Sequence, residues 1–240
     1  MREAIKDRQG YPDIPTLEQG ESTMLELFAR LRKRRKIRAF SNDRNLVESQ
    51  RKKIINSASK AFRQKGVNGV TMEDIARLSR MCVGSIYRYF GSKEDLLFSF
   101  WEEFEMRLLE YVVGRLPEIR SMGPGQALKE LLRAYISTVD ASRDQVLILY
   151  LDARALPRAD QETIKRGDEI LVGLFEEAIT RGIKSGDFKA GNAKLCAQNM
   201  KVLADSWAVR GWALSETQTV DQYIDYQTEF LIGGLTADVK

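Results

Sequence analysis

The side chains best suited to chemistry lie in residues 70–97, and their chemistry is hydrogen bonding. An element that enters a DNA major groove must present side chains that are small or can form hydrogen bonds. Four residues there meet this requirement: Gly84, Ser85, Arg88 and Tyr89. The Tyr87 hydroxyl and the Lys93 ammonium are suited to phosphate oxygens. This combination predicts contact with duplex DNA.

Catalytic chemistry has few candidates. Histidine is absent, which removes histidine-based triads, histidine general bases and most zinc sites. Cys82 and Cys196 are far apart and form no CxxC pair. Paired-carboxylate, phosphate-loop and nucleophile-elbow motifs are also missing. We therefore predict no enzyme activity, no metal and no cofactor, and an enzyme that uses carboxylates or lysine is a distant alternative.

Two short helices joined by a tight turn must position the hydrogen-bonding set. Thr71 and Asp74 have the spacing of a capping box, which starts a helix, and Val70 and Ile75 are spaced as a hydrophobic staple. A second apolar stripe follows almost at once with helical spacing: Val83, Ile86, Tyr87 and Phe90. The pattern predicts a helix-turn-helix, in which the Tyr87 ring faces the core.

Flanking signals complete a three-helix domain over residues 45–91. An earlier apolar stripe, from Ile54 to Phe62, predicts a first helix that ends at Gly66. Its starting residues, 51–53, are candidates for additional phosphate contacts. Gly91 and Ser92 end the second helix of the motif and cap the next one.

Charge is distributed very unevenly along the chain. Residues 30–93 contain 18 Lys and Arg against 4 Asp and Glu, whereas the other residues contain 20 against 30. A solvated surface usually mixes both signs, so this basic segment is better explained by a phosphate-backbone partner. The basic segment coincides with the predicted helix-turn-helix.

At these residues the sequence resembles the tetracycline-repressor (TetR/AcrR) family of bacterial transcription regulators. The resemblance is close in residues 71–76, 84–87 and 89–97, and extends back to about residue 51. It implies that Gly84, Ser85, Tyr87, Arg88 and Tyr89 lie on the recognition helix. It also implies that Thr71 and Lys93 hold the phosphate backbone.

Two positions depart from the family pattern. Arg80 occupies the turn position where the family usually has glycine, so a left-handed backbone there would cost about 1 kcal/mol. Cys82 occupies the position where the family usually caps the recognition helix with serine, and it is a weaker cap. Both departures bear on the angle at which the second helix is presented.

The remainder of the chain predicts an all-α bundle over residues 92–240. A long helix is expected to leave the DNA-binding domain at Ser92 and to run to about Leu116, where Pro117 ends it. The spacing of breaks predicts five further helices, at about 126–141, 143–155, 158–184, 190–211 and 219–234. A helix shared by both domains would tilt the DNA-binding domain as a rigid body.

Residues 1–44 form an N-terminal extension with a predicted basic amphipathic helix, since seven of residues 30–38 are Lys or Arg. Three roles stay open for it: an arm along DNA, a membrane-surface helix, or a solvated helix packed on its own domain. The chain shows neither a signal segment nor a membrane-spanning run. We therefore expect a cytoplasmic protein with no membrane partner.

The resemblance implies a ligand pocket among the middle helices, and the aromatic residues of the bundle suit a small-molecule effector that is mostly apolar with one polar end. An acyl thioester or an aromatic acid fits this description. The candidate lining residues, each of which could equally belong to the core, are Trp101, Phe104, Tyr150, Phe175 and Trp207. The candidate anchor for an anionic end is Arg154. A surface ion pair of Arg154 with Asp152 or Asp160 is the alternative.

The resemblance implies a homodimer formed by the last two helices, and excess apolar surface there agrees. The sequence thus predicts a dimeric, ligand-responsive transcriptional regulator, most often a repressor in this family, that is released from a palindromic operator. The alternative from another class is a non-enzymatic interaction protein with a vestigial helix-turn-helix.

Overall fold

The computed structural model describes residues 43–189 and 191–236, in which the regular elements are helical. The α-helices of this described part are α1 (Arg44–Lys65), α2 (Met72–Ser79), α3 (Val83–Tyr89), α4 (Lys93–Ser121), α5 (Pro124–Ala141), α6 (Arg143–Asp152), α7 (Arg158–Ser185), α8 (Ala193–Val209), α9 (Gly211–Leu214) and α10 (Val220–Leu235). A turn of 3-10 helix, Ala153–Ala155, follows α6. The predicted all-α fold is confirmed.

Helices α1 to α3 form a three-helix unit, called here the reading head. Asp43 caps α1, because its carboxylate accepts hydrogen bonds from the amides of Asn45 and Leu46 at 3.0 and 3.2 Å. The helix ends before Gly66, whose φ is 67°. Most of the N-terminal extension, with its predicted basic helix, lies outside the described residues.

The reading head has its own hydrophobic core. Its largest buried members come from all three helices and from the start of α4, and include Ile54, Phe62, Ile75, Ile86, Leu97 and Phe100. The same cluster extends to Ile148 on α6 and Leu156 before α7. The reading head therefore packs directly against α6, as well as being continuous with α4.

Helix α4 is longer than the sequence predicts. It continues through Pro117 to Ser121, so the expected stop at Pro117 is wrong. An internal proline removes one backbone hydrogen bond and costs about 3 kcal/mol. Here Leu116 and Ile119 are buried on either side of it, which offsets this cost. Arg181 also donates to the carbonyls of Arg120 and Met122, both at 2.9 Å, and satisfies the helix end.

The predicted bundle helices are observed with small shifts at their ends. Helix α5 begins at Pro124 rather than 126, with proline in the first turn, where its missing N–H does no harm. The predicted helix 143–155 is divided into α6 and the 3-10 turn. The predicted helix 190–211 is observed as α8, and the short α9 follows it and extends to Leu214. No described helix has an apolar stretch long enough to cross a membrane.

One backbone contact holds the end of the bundle together. Phe188 and Thr236 form an isolated antiparallel bridge, and the Lys189 amide donates to the Leu235 carbonyl at 2.7 Å. Phe188 is buried against α7, where a Cβ on Gly182 would lie 2.0 Å from its ring. This close approach requires glycine at residue 182.

Candidate DNA interface and effector domain

The helix-turn-helix is built by α2 and α3. The predicted capping box is present: the Thr71 hydroxyl accepts from the Asp74 amide, and the Asp74 carboxylate accepts from the Thr71 amide, both at 3.2 Å. Ile75 and Ala76 are buried below. Thr71 is exposed, so the residue that begins α2 also faces solvent.

Helix α3 presents most of the predicted reading residues to solvent. Gly84 and Arg88 are exposed and Ser85 is half-buried, whereas Ile86 is fully buried beneath them. The arrangement can place short and hydrogen-bonding groups against a groove while Ile86 anchors the helix. That these side chains contact DNA stays a prediction.

The two tyrosines of α3 are placed differently from the sequence prediction. Tyr87 is 50% exposed instead of facing the core, and Tyr89 is half-buried against the head core instead of facing outward. In a helix, Tyr89 lies about 60° around the axis from Ile86, whereas Tyr87 lies about 100° from it. The helix ends before Phe90, which is nevertheless buried in the head core, as the predicted stripe requires.

Lys93 and Arg51, both predicted near phosphates, make contacts within the protein. The Lys93 ammonium donates to the Val67 carbonyl at 3.0 Å and fastens the start of α4 to the loop after α1. Arg51 pairs with Glu102 at 3.2 Å, and its guanidinium lies 4.6 Å from the Phe90 ring centre. Lys93 retains two further N–H donors, so its predicted phosphate contact is compatible with this bond.

The predicted ligand residues divide into a buried and an exposed group. Trp101, Phe104, Phe175 and Trp207 are at most 7% exposed. Tyr150 is 65% exposed, and Arg154 also lies on the surface, in the 3-10 turn. Helix α6 buries only one residue fully, so most of its side chains, including Tyr150, remain accessible.

Arg154 therefore has little support as an interior anchor. Its guanidinium reaches no carboxylate in the described part of the chain, so the predicted surface pairs with Asp152 or Asp160 are not formed either. Two other arginines, Arg120 and Arg181, border an apolar cleft between α4, α5 and α7. The cleft is small, with a cavity volume of about 10 Å³, and Leu116, Leu131 and Leu174 form much of its wall.

Charged and hydroxyl groups also cluster inside the bundle. Lys201 on α8 pairs with Asp205 at 2.7 Å and with Asp168 of α7 at 3.4 Å. The Tyr135 hydroxyl donates to Asp205 at 2.5 Å. Glu105 of α4 is 7% exposed, and burial, reinforced by Asp168 and opposed by Lys201, raises the pKa of its carboxyl to about 8.

Apolar side chains are exposed on the last helices, where dimerisation is predicted. On α8 and α9, Leu195, Val202 and Trp212 are 57 to 70% exposed. On α10, Tyr226 and Phe230 are exposed as well, with their rings nearly parallel and 6.4 Å apart. No other described residue covers these apolar side chains.

Comparison with known proteins agrees with this architecture. A sequence profile described as bacterial regulatory proteins of the tetR family matches residues 54–100. A second profile, described as a tetracyclin repressor-like C-terminal domain, matches residues 121–229. This chain belongs to the TetR family. The two profiles match the reading head and the bundle, respectively.

Relatives of this TetR-family chain include the HTH-type transcriptional regulator HbdR of Aromatoleum sp. (strain CIB). It is 28% identical over 194 residues, which cover 79% of this chain and 82% of HbdR. A tetR-family regulatory protein from Rhodococcus RHA1 has a TM-score of 0.71 at 19% identity, covering 79% of this chain and 98% of that one. AibR, solved with isovaleryl coenzyme A and operator DNA, has a TM-score of 0.65 at 21% identity, covering 76% and 98%.

The two departures from the TetR-family pattern have distinct structural outcomes. Arg80 keeps the left-handed turn, with φ 54° and ψ 46°, although it carries a side chain. Cys82 begins α3 without a side-chain cap and instead places its sulfur 3.0 Å from the Ser85 hydroxyl oxygen. The turn geometry is therefore preserved despite both substitutions.

Sequence reasoning missed the interior polar cluster of this TetR-family protein. Glu105, Asp168 and Lys201 each look like ordinary polar positions on amphipathic helices. A partial signal was available, because Glu105 follows Phe104 and precedes Leu108 on the apolar side of α4. Which helices cover that side could not be read from local spacing.

Proposed function

We propose that this protein is a homodimeric transcriptional repressor that loses operator affinity when its bundle binds a mostly apolar effector with one polar end. One observation carries the proposal: α4 belongs to both hydrophobic cores. Its residues from Leu96 to Trp101 lie in the head core, and those from Phe104 to Ile119 lie in the bundle core. A change in the bundle that tilts α4 therefore moves the reading head.

The DNA contacts are assigned to the exposed part of α3 and to the residues that flank it. Gly84, Ser85 and Arg88 face a groove in this proposal, and the exposed Tyr87 hydroxyl meets a phosphate. Tyr89 contributes mainly by holding α3 on the head core. Thr71 and Lys93 contact the backbone on either side.

A dimer is proposed because a palindromic operator needs two reading heads at a defined separation. The exposed apolar side chains of α8 and α10 supply a self-complementary surface. An effector that binds one bundle shape better than the other shifts the separation of the heads, and operator affinity falls by linkage. AibR, whose structure holds both isovaleryl coenzyme A and operator DNA, supports an acyl thioester as the effector class.

Binding to DNA selected from a random duplex pool tests the regulator function. The purified full chain should enrich a palindrome and bind it with a steep dependence on salt, because each phosphate contact adds about 0.9 to the slope. Tyr87→Phe should weaken all duplexes by a similar factor, and Arg88→Ala should also relax the sequence preference. Absence of a salt slope, with no enriched sequence, would favour the interaction protein with a vestigial helix-turn-helix.

A separate measurement tests the dimer. Sedimentation of the full chain should give twice the monomer mass of 27.4 kDa. Phe230→Glu should shift it toward monomer, since a charge would be placed in the apolar face. Leu78→Glu is the matched control, because Leu78 is 49% exposed on α2, outside this face. Equal masses for the wild type and both variants would show that α10 does not belong to the dimer interface.

A further inference from the structure

The guanidinium of Arg120, in the last turn of α4, is incompletely satisfied inside the protein. Its Nη2 atom is buried and donates to no acceptor among the described residues. Buried polar groups are normally hydrogen-bonded, and a charged donor left without a partner is especially costly. This nitrogen therefore calls for an acceptor from outside the described part of the chain.

Arg120 borders the small cleft between α4, α5 and α7, which is partly open to solvent. The cavity volume, about 10 Å³, is close to the minimum for one water-sized group. The wall is otherwise mostly apolar, with Leu116, Leu131 and Leu174 among its members. An acceptor that reaches the cavity must therefore be small, whereas an apolar group attached to it would meet apolar side chains.

Positive charge dominates the polar part of this cleft. Arg120 and Arg181 both line it, and neither forms an ion pair with a carboxylate in the described part of the chain. Helix α5 adds the positive end of its dipole, because Ala127 in its first turn also lines the cleft. Its cap, Gly123, provides no side-chain acceptor for the first amides. A negatively charged acceptor fits these surroundings.

The end of α4 would oppose an anion, because a helix C-terminus carries a partial negative charge. Arg181 offsets this effect by donating to the carbonyls of Arg120 and Met122, both at 2.9 Å. An arginine has five N–H groups, so these bonds leave further donors on Arg181. Its guanidinium thus ties α4 to α7, and its charge still acts on the cleft.

We infer that Arg120 forms a subsite for the carboxylate of an apolar acid, held by a charge-assisted hydrogen bond from Nη2. One carboxylate oxygen has the size that the cavity admits, and the apolar part of the acid lies along the open side of the cleft. The inference rests on the proposed function, because it assigns the polar end of the effector. It replaces Arg154 as the anchor.

The position of this subsite connects it to the reading head. Arg120 lies in the last turn of α4, a helix of 29 residues whose first turns belong to the head core. The cleft is lined by α4, α5 and α7, so an acid bound there contacts the far end of the helix that both cores share. A shift of this end against α7 would tilt α4 and move the reading head.

Matched ligand pairs test the charge directly. Octanoate is compared with octanamide, and benzoate with benzamide, because each amide keeps the size and shape of its acid without the charge. Calorimetric titration of the wild-type protein should show at least one acid binding about tenfold or more tightly than its amide. Equal binding within both pairs, or no binding by either acid, would overturn the inference. Acetate binding as tightly as the larger acids would also overturn it, since the apolar wall would then contribute nothing.

Arginine variants then locate the preference. Arg120→Gln keeps N–H donors without the charge and should bring the acid-to-amide affinity ratio toward one, whereas Arg120→Lys should recover part of the ratio. Arg115→Gln is the matched control, because Arg115 lies on the same helix and already pairs with Glu118 and Glu130 at 3.4 and 3.2 Å. Its ratio should equal that of the wild type. The ratio is taken within each variant, so a general loss of packing affects both ligands alike. An unchanged ratio in Arg120→Gln would overturn the assignment.

A structural reading needs no variant. In crystals of the wild-type chain grown with 4-bromobenzoate, the anomalous signal of bromine should lie at the cleft, with the carboxylate beside Arg120. A bound acid elsewhere in the bundle would overturn the inference even if the variants fail to fold. Operator selection and its salt slope, measured without ligand, judge the regulator function independently. Failure of the carboxylate subsite therefore leaves that result standing.

Discussion

Arg63 in the last turn of α1 places Nη1 2.7 and 2.8 Å from the two carboxylate oxygens of Asp144, in the first turn of α6. This ion pair joins the reading head to the bundle at a place separate from α4. Ile148, about one helical turn further along α6, is buried in the head core. Helix α6 is thus a second physical connection between the bundle and the reading head.

Asp144→Asn should uncouple the two domains more than it unfolds them. The pair is about half exposed, so its loss should lower the free energy of unfolding by less than about 1 kcal/mol. The effector-induced drop in operator affinity should become several-fold smaller. Fluorescence anisotropy with and without effector measures this drop. Asp221→Asn is the control. It removes an exposed ion pair with Arg133, which joins two helices of the bundle, and should leave the effector-induced drop unchanged.

Arg80→Gly should stabilise the reading head. Arg80 is the only non-glycine residue with positive φ in the described part of the chain, and a side chain in that conformation costs about 1 kcal/mol. Urea unfolding should show a gain of about this size. Arg77→Gly, three residues earlier within α2, should instead lose about 1 kcal/mol, because glycine weakens a helix interior. A loss in both variants would contradict the strain at Arg80.

Two glycines of long helices should respond oppositely to alanine. Gly182→Ala places a methyl group 2.0 Å from the Phe188 ring, which is buried, and should cost about 1 to 3 kcal/mol. Gly114→Ala in α4 meets nothing within 4 Å and should gain about 0.5 to 1 kcal/mol from helix propensity. Chemical denaturation of both variants checks this contrast, and equal effects would mean that Phe188 moves freely.

Glu105→Gln should change how stability depends on pH. Burial, reinforced by Asp168 and opposed by Lys201, raises the pKa of the carboxyl from its ordinary value of 4.5 to about 8 in the folded state. Between these values the folded state holds the extra proton, so Glu105 lowers stability as pH rises, by up to about 1.4 kcal/mol per pH unit. The amide cannot titrate, so the variant should lose less stability between pH 5 and 8. Urea unfolding at several pH values measures this. If Glu105 were ionised throughout, the free energy of unfolding would depend on pH equally in the wild type and the variant.

Local chemistry determined the reading head well. The capping box at Thr71 and Asp74 and the cap at Ser92 depend on groups within three residues of each other, and all are present. Most bundle helices begin and end near the predicted residues because breaks such as Pro157 and Gly186 separate them. These features follow from short-range spacing, which a sequence displays directly.

Tertiary packing decided which faces are buried. Pro117 lies inside α4 because its neighbours pack on the bundle, and Tyr87 and Tyr89 exchange roles because Ile86 sets the buried direction of α3. Arg154 is exposed, whereas Glu105 is enclosed by helices distant in the chain. The burial of a side chain, and with it the pKa of a carboxyl, depends on neighbours contributed by other helices, and spacing along one helix does not specify them.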